Sequence, residues 1–361
     1  MKSPIKHLGI LTSGGDAPGL NAVIRGAVKT AILHYNLKVT GIKDGFEGLL
    51  YKDGFIPLTL KDVRGILPRG GTILGTSNTG KYGAFFEKTS EAVRKKLLKD
   101  GIASLKKNRI DALLAIGGEG SLLVAAKFFD AGFPVVGIPK TIDNDLFATD
   151  YTFGYDTAVH IATEALDRLT TTAESHHRVM ILEVMGRNAG WIALGAGVSG
   201  GADIILIPEI PFSIEKIVRH IKLRRSTGAR SHIIVVAEGA VPLGGGMIYV
   251  KTSKGKRRLG GIAAWLTNEL GKRIENEIRY TVLGHIQRGG TPTSFDRSLA
   301  SRFGASAVDV AVRGEFGKMV CLRTPHILTV PIAEAINNYK TIDPQGDEIM
   351  TARRLGLGFG D

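Results

Sequence analysis

The sequence predicts an α/β protein whose parallel sheets are covered by helices on both faces, with enough chain for two domains of ordinary size. Three observations carry this. Short apolar runs end in glycine-rich turns and give way to stretches of helical periodicity, the alternation that builds βα units. The chain has 361 residues, long for one compact core. Glycine supplies 47 of them, which suits tight strand-to-helix turns or backbone that approaches a ligand.

The elements follow in order. His7–Leu11 reads as the first strand and Thr12–Gly19 as its turn. From Asn21 onward Val23, Ile24, Ala27, Val28, Ala31 and Ile32 recur at three- and four-residue steps, which predicts a helix with one apolar face. Asp111–Ile116 and Pro134–Ile138 read as buried strands, the first followed by Gly117–Ser121 and a helix from Leu122. Arg178–Val184, Asp203–Ile207 and Ser231–Ala237 are three further strands. Ahead of them Ala158, Ile161, Ala162, Ala165, Leu166 and Leu169 form the stripe of an amphipathic helix, with Asp156 at the N-cap. No linker marks a domain boundary, so the chain is expected to cross between domains more than once. Sheets of this kind bind ligands at the carboxyl ends of their strands.

Composition narrows the function. The formal charge is +13, which suits either nucleic acid or small anionic substrates. The basic residues are spread out, and the densest run, Lys251–Arg258, reads as a solvated loop or hairpin. No aromatic-basic interleaving of the kind an RNA-binding sheet needs is present, so phosphorylated small molecules are the expected partners and nucleic acid is not. The single cysteine, Cys321, excludes an internal disulfide or a Cys-based zinc site. Leu8–Leu11 is too short for a signal-peptide core or a membrane span, so a cytoplasmic protein without a membrane partner is expected.

Five segments could carry chemistry. Thr12–Asn21 (TSGGDAPGLN) sets Gly14, Gly15 and Gly19 before a helix N-terminus, either an anion site or a plain turn. Gly117–Ser121 (GGEGS) lets a nucleotide phosphate lie against Gly117, Gly118 and Gly120, with Glu119 offering an oxygen to a bridging magnesium ion; a simple turn with a solvated Glu is the alternative. In Pro139–Asp145 (PKTIDND), Asp143 and Asp145 lie two apart and would project to one side of an extended segment. One could take the proton of an attacking hydroxyl, with Lys140 beside it for a transferring phosphoryl group, although Asp and Asn also stabilise ordinary turns. In Glu183–Trp191 (EVMGRNAGW), Arg187 could contact a phosphate or sugar, or pair with Glu183. In Arg279–Gly290 (RYTVLGHIQRGG), Arg279, His285 and Arg288 could grip a phosphate dianion, or be a core histidine and two surface arginines.

Taken together, GGDAPGLN, GGEGS, TIDND, MGR and LGHIQRGG, in this order between about Lys6 and Val312, resemble the phosphofructokinase family. The resemblance implies two similar three-layer α/β domains with mostly parallel sheets and an active site in the cleft between them. It implies a phosphoryl-donor domain of residues 1–154 plus 287–337 and a fructose 6-phosphate domain of 155–286 plus 338–361. Asp143 would be the base for the sugar 1-hydroxyl, supported by Asp145, with Thr141, Gly15 and Arg187 completing the catalytic set. Met185, Gly186, Arg187 and Glu238 would hold the sugar, and His285 and Arg288 its 6-phosphate. Arg178 and Arg279 would reach that phosphate from a neighbouring subunit, hence a homo-oligomer with shared sites, a tetramer first and a dimer as the alternative. Gly15, Gly118, Glu119, Gly120, Ser121 and Lys140 would bind the donor, with magnesium at Glu119. The implied reaction is the glycolytic ATP-dependent one.

Some positions depart from the family pattern. Gly120 resembles ATP users, where an Asp is typical of pyrophosphate users; Lys140 resembles the pyrophosphate users. The stretch Thr152–Met180 is similar to a mixed branch that contains both, and room for the nucleotide at Gly120 favours ATP. Asn78 stands where an Arg usually touches the donor, and Lys81 is the substitute at hand. Arg25 and Lys29 match effector-site cations, but Asp203 stands for a Glu and Ala229 for one of two lysines, with Arg230 at the other, so weak or absent control is expected. Besides a kinase using either donor, a non-catalytic sugar-phosphate or nucleotide-binding subunit is the alternative of a different class.

Overall fold

The computed structural model describes residues 5–83, 88–251, 255 and 257–361. The chain divides into two units. The first runs up to Ile142 and includes Leu146–Asp156 and Arg288–Tyr339; the second comprises Asp143–Asp145, Thr157–Gln287 and Lys340–Asp361.

The first unit is built on a seven-stranded sheet. Its strands are β1 (His7–Thr12), β2 (Lys38–Ile42), β3 (Phe55–Leu58), β4 (Ala112–Gly117), β5 (Val135–Pro139), β12 (Lys318–Arg323) and β13 (His326–Pro331), in the order β13-β12-β5-β4-β1-β2-β3. The five central strands are parallel and only the outer pairs β2/β3 and β12/β13 are antiparallel. Pro57 sits on the edge strand β3, the place where a missing N–H is tolerated. Alternation along the buried strands serves both faces. Leu8, Ile10, Leu114 and Ile116 join one apolar cluster, while Leu11, Leu113 and Ala115 join another. Helices α1 (Leu20–Leu33) and α8 (Ser294–Val312) cover the first face; α2 (Glu91–Lys107) and α3 (Glu119–Asp130) cover the second. At the crossing of α1 and α8 there is no room for side chains: a Cβ on Gly26 would lie 2.6 Å from Ser301 O, and one on Gly304 2.3 Å from Val23 O.

The second unit holds a parallel sheet, order β11-β6-β8-β7, from β6 (Val179–Val184), β7 (Ile204–Leu206), β8 (His232–Ala237) and β11 (Ile278–Val282). Helices α6 (Ile214–Ser226) and α7 (Ile262–Gly271) pack on the face bearing Ile181, Ile204 and Ile234. Helix α5 (Trp191–Ser199) lies on the other, where Gly197 leaves space for Ile205. Each unit is thus three layers, helix, sheet, helix, as the sequence predicts.

The six predicted strands are present with ends shifted by at most one residue. The basic run is a hairpin, β9 (Tyr249–Lys251) against β10 (Arg257–Leu259), with residues 252–254 and 256 outside the described residues. Two local expectations fail. Helix α4 (Tyr155–His176) starts one residue before Asp156, which is therefore not its N-cap; its carboxylate accepts a hydrogen bond from Thr293 Oγ1 at 2.5 Å instead. Helix α3 begins at Glu119, three residues earlier than expected, because the main chain turns helical directly after Gly118. Among the described residues no helix is long and apolar enough to cross a membrane.

Candidate functional site

In the first unit the turns after β1, β4 and β5 lie side by side at the carboxyl ends of adjacent parallel strands, the place where such sheets bind ligands. Ser13 N–H donates to Ile116 O at 2.9 Å and Lys140 N–H to Gly117 O at 2.9 Å, which ties the three turns into one surface. The glycines are required by contact: a Cβ on Gly117 would lie 2.2 Å from Ser121 Cβ. Ser121 and Lys140 are buried here, and Lys140 Nζ donates to Gly15 O at 2.5 Å. An ammonium is thus held beside the glycine turn in a site of low polarisability, where its charge is felt strongly.

Within Thr12–Gly19 the three glycines have different roles. Gly14, at φ +85°, gives its N–H to Ser77 O at 3.1 Å. Gly19, at φ +98°, is the N-cap of α1. Gly15 N–H has no acceptor among the described residues. Arg288 lies over it: a Cβ at Gly15 would be 2.6 Å from Arg288 Nη1, which donates to Asp16 O at 3.1 Å. The loop bearing Asn78 and Lys81 is fastened at both ends: Thr76 Oγ1 donates to Gly14 O of this turn at 2.6 Å, and Tyr82 N–H donates to buried Glu47 Oε1, in the short helical turn after β2, at 2.6 Å. Lys81 and Asn78 are both exposed.

Gly118 is the N-cap of α3, with Leu122 N–H returning to its carbonyl at 3.0 Å. Gly120 is exposed and an added Cβ there would meet nothing within 4 Å. Glu119 accepts a hydrogen bond from Tyr339 OH at 2.6 Å. Among the described residues no three His, Cys, Asp or Glu side chains gather as a metal cage. A single carboxylate would nonetheless suit magnesium wherever phosphates lie beside it, since that ion keeps several waters and takes other ligands from the phosphates.

The segment after Lys140 departs from the extended geometry expected of it. Asn144 adopts φ +52°, a left-handed conformation that Asn tolerates better than most residues. Period-two alternation therefore does not align Asp143 with Asp145. Both are half-buried, and Asn144 is buried. Thr152 Oγ1 donates to Thr141 O at 2.7 Å, which fixes the start of this bend.

In the second unit the predicted residues separate into two groups. Met185, Gly186, Arg187, Glu238 and His285 follow β6, β8 and β11 at the carboxyl end of the sheet. Gly186, at φ +135°, turns the chain so that Gly239 N–H reaches its carbonyl at 3.0 Å. Gly239 lacks a Cβ because Arg187 O would lie 2.1 Å from it. Met185 is buried, Glu238 half-buried, and Arg187 and His285 are exposed. The alternative pairing of Arg187 with Glu183 is not made: Glu183 is buried and accepts from Gly261 N–H at 3.1 Å and Ala263 N–H at 3.0 Å, capping α7. Arg178 and Arg279 stand at the opposite, amino end of β6 and β11, roughly 20 Å away along the strands at about 3.3 Å per residue. Both pair with Glu277, Arg178 Nε at 2.5 Å and Arg279 through Nη2.

Sequence reasoning missed Glu277, Glu47, Glu183 as a cap, and Tyr339. Only Glu277 carried a signal, an acidic residue two positions before Arg279. Asp203, which stands at the position matched to an effector-site Glu, is anchored internally. It pairs with Arg224 at 2.7 Å and accepts from Ile233 N–H at 2.9 Å. Burial pushes its carboxyl up, but the nearby His232 ring at 3.6 Å, the hydrogen bond from Ile233 N–H and the Arg224 charge outweigh that and hold it below the ordinary Asp range.

The family model for Phosphofructokinase matches residues 7–311. The chain is 51% identical over 361 residues to an ATP-dependent 6-phosphofructokinase of Chloroflexus aurantiacus, covering 100% of this chain and 99% of the relative. It is 53% identical over 342 residues to a pyrophosphate–fructose 6-phosphate 1-phosphotransferase of Amycolatopsis methanolica, covering 94% and 97%. A solved phosphofructokinase structure from Saccharomyces cerevisiae superposes with a TM-score of 0.77 at 32% identity; the match covers 92% of this chain and 45% of that longer one.

Proposed function

Because the chain belongs to the phosphofructokinase family, we propose that it is an ATP-dependent 6-phosphofructokinase, which moves the γ-phosphoryl group of ATP onto the 1-hydroxyl of fructose 6-phosphate. The observation that carries this reading is the joined surface of three strand-end turns, where the Gly15 amide, the Gly118–Gly120 turn and the Lys140 ammonium meet. Open space at Gly120 favours the bulkier nucleotide as donor.

In this mechanism the first unit binds the donor, and the second, together with Arg288 of the first, binds the sugar phosphate. The Asp143 carboxylate takes the proton of the sugar 1-hydroxyl, with Asp145 beside it in the chain and Thr141 orienting the hydroxyl. The oxygen attacks the γ-phosphorus, the bond to the β-phosphate oxygen breaks, and ADP leaves. The Gly15 N–H and the Lys140 ammonium stabilise charge growing on the transferred group. Magnesium held at Glu119 would neutralise the donor's phosphate charge when bound. Met185, Gly186, Arg187 and Glu238 orient the sugar, and His285 and Arg288 hold its 6-phosphate. Arg178 and Arg279, at the far end of their strands, serve the site of a neighbouring subunit in a homotetramer. The setting is cytoplasmic glycolysis.

The second reading is pyrophosphate as donor, favoured by buried Lys140 at Gly15 O. Rates with ATP and with pyrophosphate, each with magnesium and fructose 6-phosphate, decide between them. We expect ATP to give the higher kcat/KM. A pyrophosphate preference reverses the donor assignment, and binding of both substrates without turnover leaves a non-catalytic subunit.

A further inference from the structure

We propose that Glu277 is a built-in counter-ion that competes with the sugar's phosphate for Arg178 and Arg279, and so sets the affinity for fructose 6-phosphate. The inference rests on the reading above that these two arginines serve a phosphate.

The geometry is that of an occupied anion site. Oε2 of Glu277 takes Arg178 Nε at 2.5 Å, and Oε1 takes Arg279 Nη2. One carboxylate thus bridges two guanidinium groups, the arrangement that two oxygens of a phosphate monoester would adopt. The hydrogen bond from Arg178, helped by that from Arg279 and by the two positive charges, outweighs desolvation and keeps the carboxyl below the ordinary Glu range. It stays ionised, and the three side chains together carry one net positive charge.

Glu277 is not needed to bring the arginines together, because the sheet does that. Arg178 directly precedes β6, and Arg279 is the second residue of β11. The two strands pair in parallel with Ile278 opposite Val179 and Arg279 opposite Met180, and Val179 N–H donates to Glu277 O at 3.0 Å. The roots of all three side chains are fixed by this ladder. Their ends are not: the side chains are 23%, 62% and 44% exposed for Arg178, Arg279 and Glu277. Ion pairs this exposed are weak and exchange readily. An arriving dianion takes the guanidinium groups from Glu277 without any backbone movement, but must do so against a fixed negative charge a few ångströms away. Removing that charge while keeping the side chain's shape should tighten binding.

The test is the steady-state KM for fructose 6-phosphate, at saturating ATP and low ionic strength, of the full chain carrying Glu277→Gln. The expected result is a KM lowered about three- to tenfold, with kcat and the KM for ATP unchanged, and an effect that shrinks in about 0.5 M salt. Glu277→Asp keeps the charge and should stay near the wild-type KM, a result that a purely structural role for Glu277 would not produce. Arg178→Ala should raise the KM about tenfold or more. A Glu277→Gln KM that is unchanged or raised, in an enzyme that still turns over, overturns the proposal and leaves the kinase reading standing. So does an Arg178→Ala variant with wild-type KM. A wild-type chain that does not phosphorylate fructose 6-phosphate removes both.

Discussion

Around the turns after β1, β4 and β5, the groups proposed to meet a phosphate are a main-chain amide and a buried ammonium, set by glycine geometry and by hydrogen bonds between turns. In the second unit they are side chains on or near the surface, and two of them already hold an internal partner: Arg178 and Arg279 pair with Glu277. The contrast separates two ways of preparing a site. Main-chain donors are immobile and lose nothing when a ligand arrives, so they suit the group whose charge changes during reaction. Side chains that exchange partners suit the remote handle of a substrate, where affinity rather than rate is adjusted. Substitutions in the first unit should therefore alter turnover, and substitutions in the second should alter KM or stability.

The largest effect belongs to Asp143, which lies in the second unit's short Asp143–Asp145 stretch and is the exception to that division. Asp143→Ser should lower kcat about a thousandfold with little change in the KM for fructose 6-phosphate; near-full activity removes it as the base. Gly15→Ala comes next. Its Cβ would press on Arg288 Nη1 at 2.6 Å, the end of a flexible side chain, so the fold should survive while kcat/KM falls about a hundredfold. A melting temperature lowered along with activity would mean that Gly15 serves the fold instead. Gly120→Asp adds a carboxylate where an extra Cβ meets nothing, so stability should hold. The ATP kcat/KM should fall about tenfold or more, with pyrophosphate use less affected, because the new charge repels the inner phosphates of the nucleotide. Equal loss with both donors would break the link between this position and donor choice.

Two smaller effects test the second unit as a matter of stability. Glu183→Gln leaves one of the α7 N–H groups poorly matched and should cost about 1–2 kcal/mol, read as a melting temperature lowered by about 2–6 °C with the KM for ATP unchanged. The smallest concerns His220. Burial and then the Arg224 charge lower its pKa from the ordinary 6.5, and burial does the same for His7 in the first unit. The unfolded chain then binds more protons just below pH 6.5 than the folded one, so stability is full above 6.5 and declines as pH falls through the window beneath it. Melting scans should show a shallow fall below pH 6.5, reduced in His220→Gln; a curve unaltered by that substitution would assign the fall to other groups.

The same contrast explains what could be read from the sequence. Strands that are apolar on both faces announce themselves, so β1, β4 and β5 and the glycine turns after them were legible together with the order of the motifs. Helix α5 was not, because it is buried nearly all round and lacks a polar face. β3 carries Pro57 and is only four residues long. The joining of turns was also hidden: nothing local shows that Gly14 N–H goes to Ser77 O or that Arg288 lies over Gly15, contacts that span 63 and 273 positions. The alternation used to align the two aspartates does not hold, since Asn144 breaks it. Glu277 escaped notice because a charged residue beside two arginines looks like ordinary surface until strand register places all three together.

The missing side chains at Gly26 and Gly304 have a consequence for the turn they sit far from. With backbone resting on backbone, α1 cannot roll or slide along α8, and the two helices form one stiff beam. The glycine turn is mounted at the head of α1, and Arg288 a few residues ahead of α8. A methyl group inserted at position 304 would wedge the beam apart and misalign two distant stretches of chain that must meet within ångströms, silencing the enzyme from a place no substrate visits.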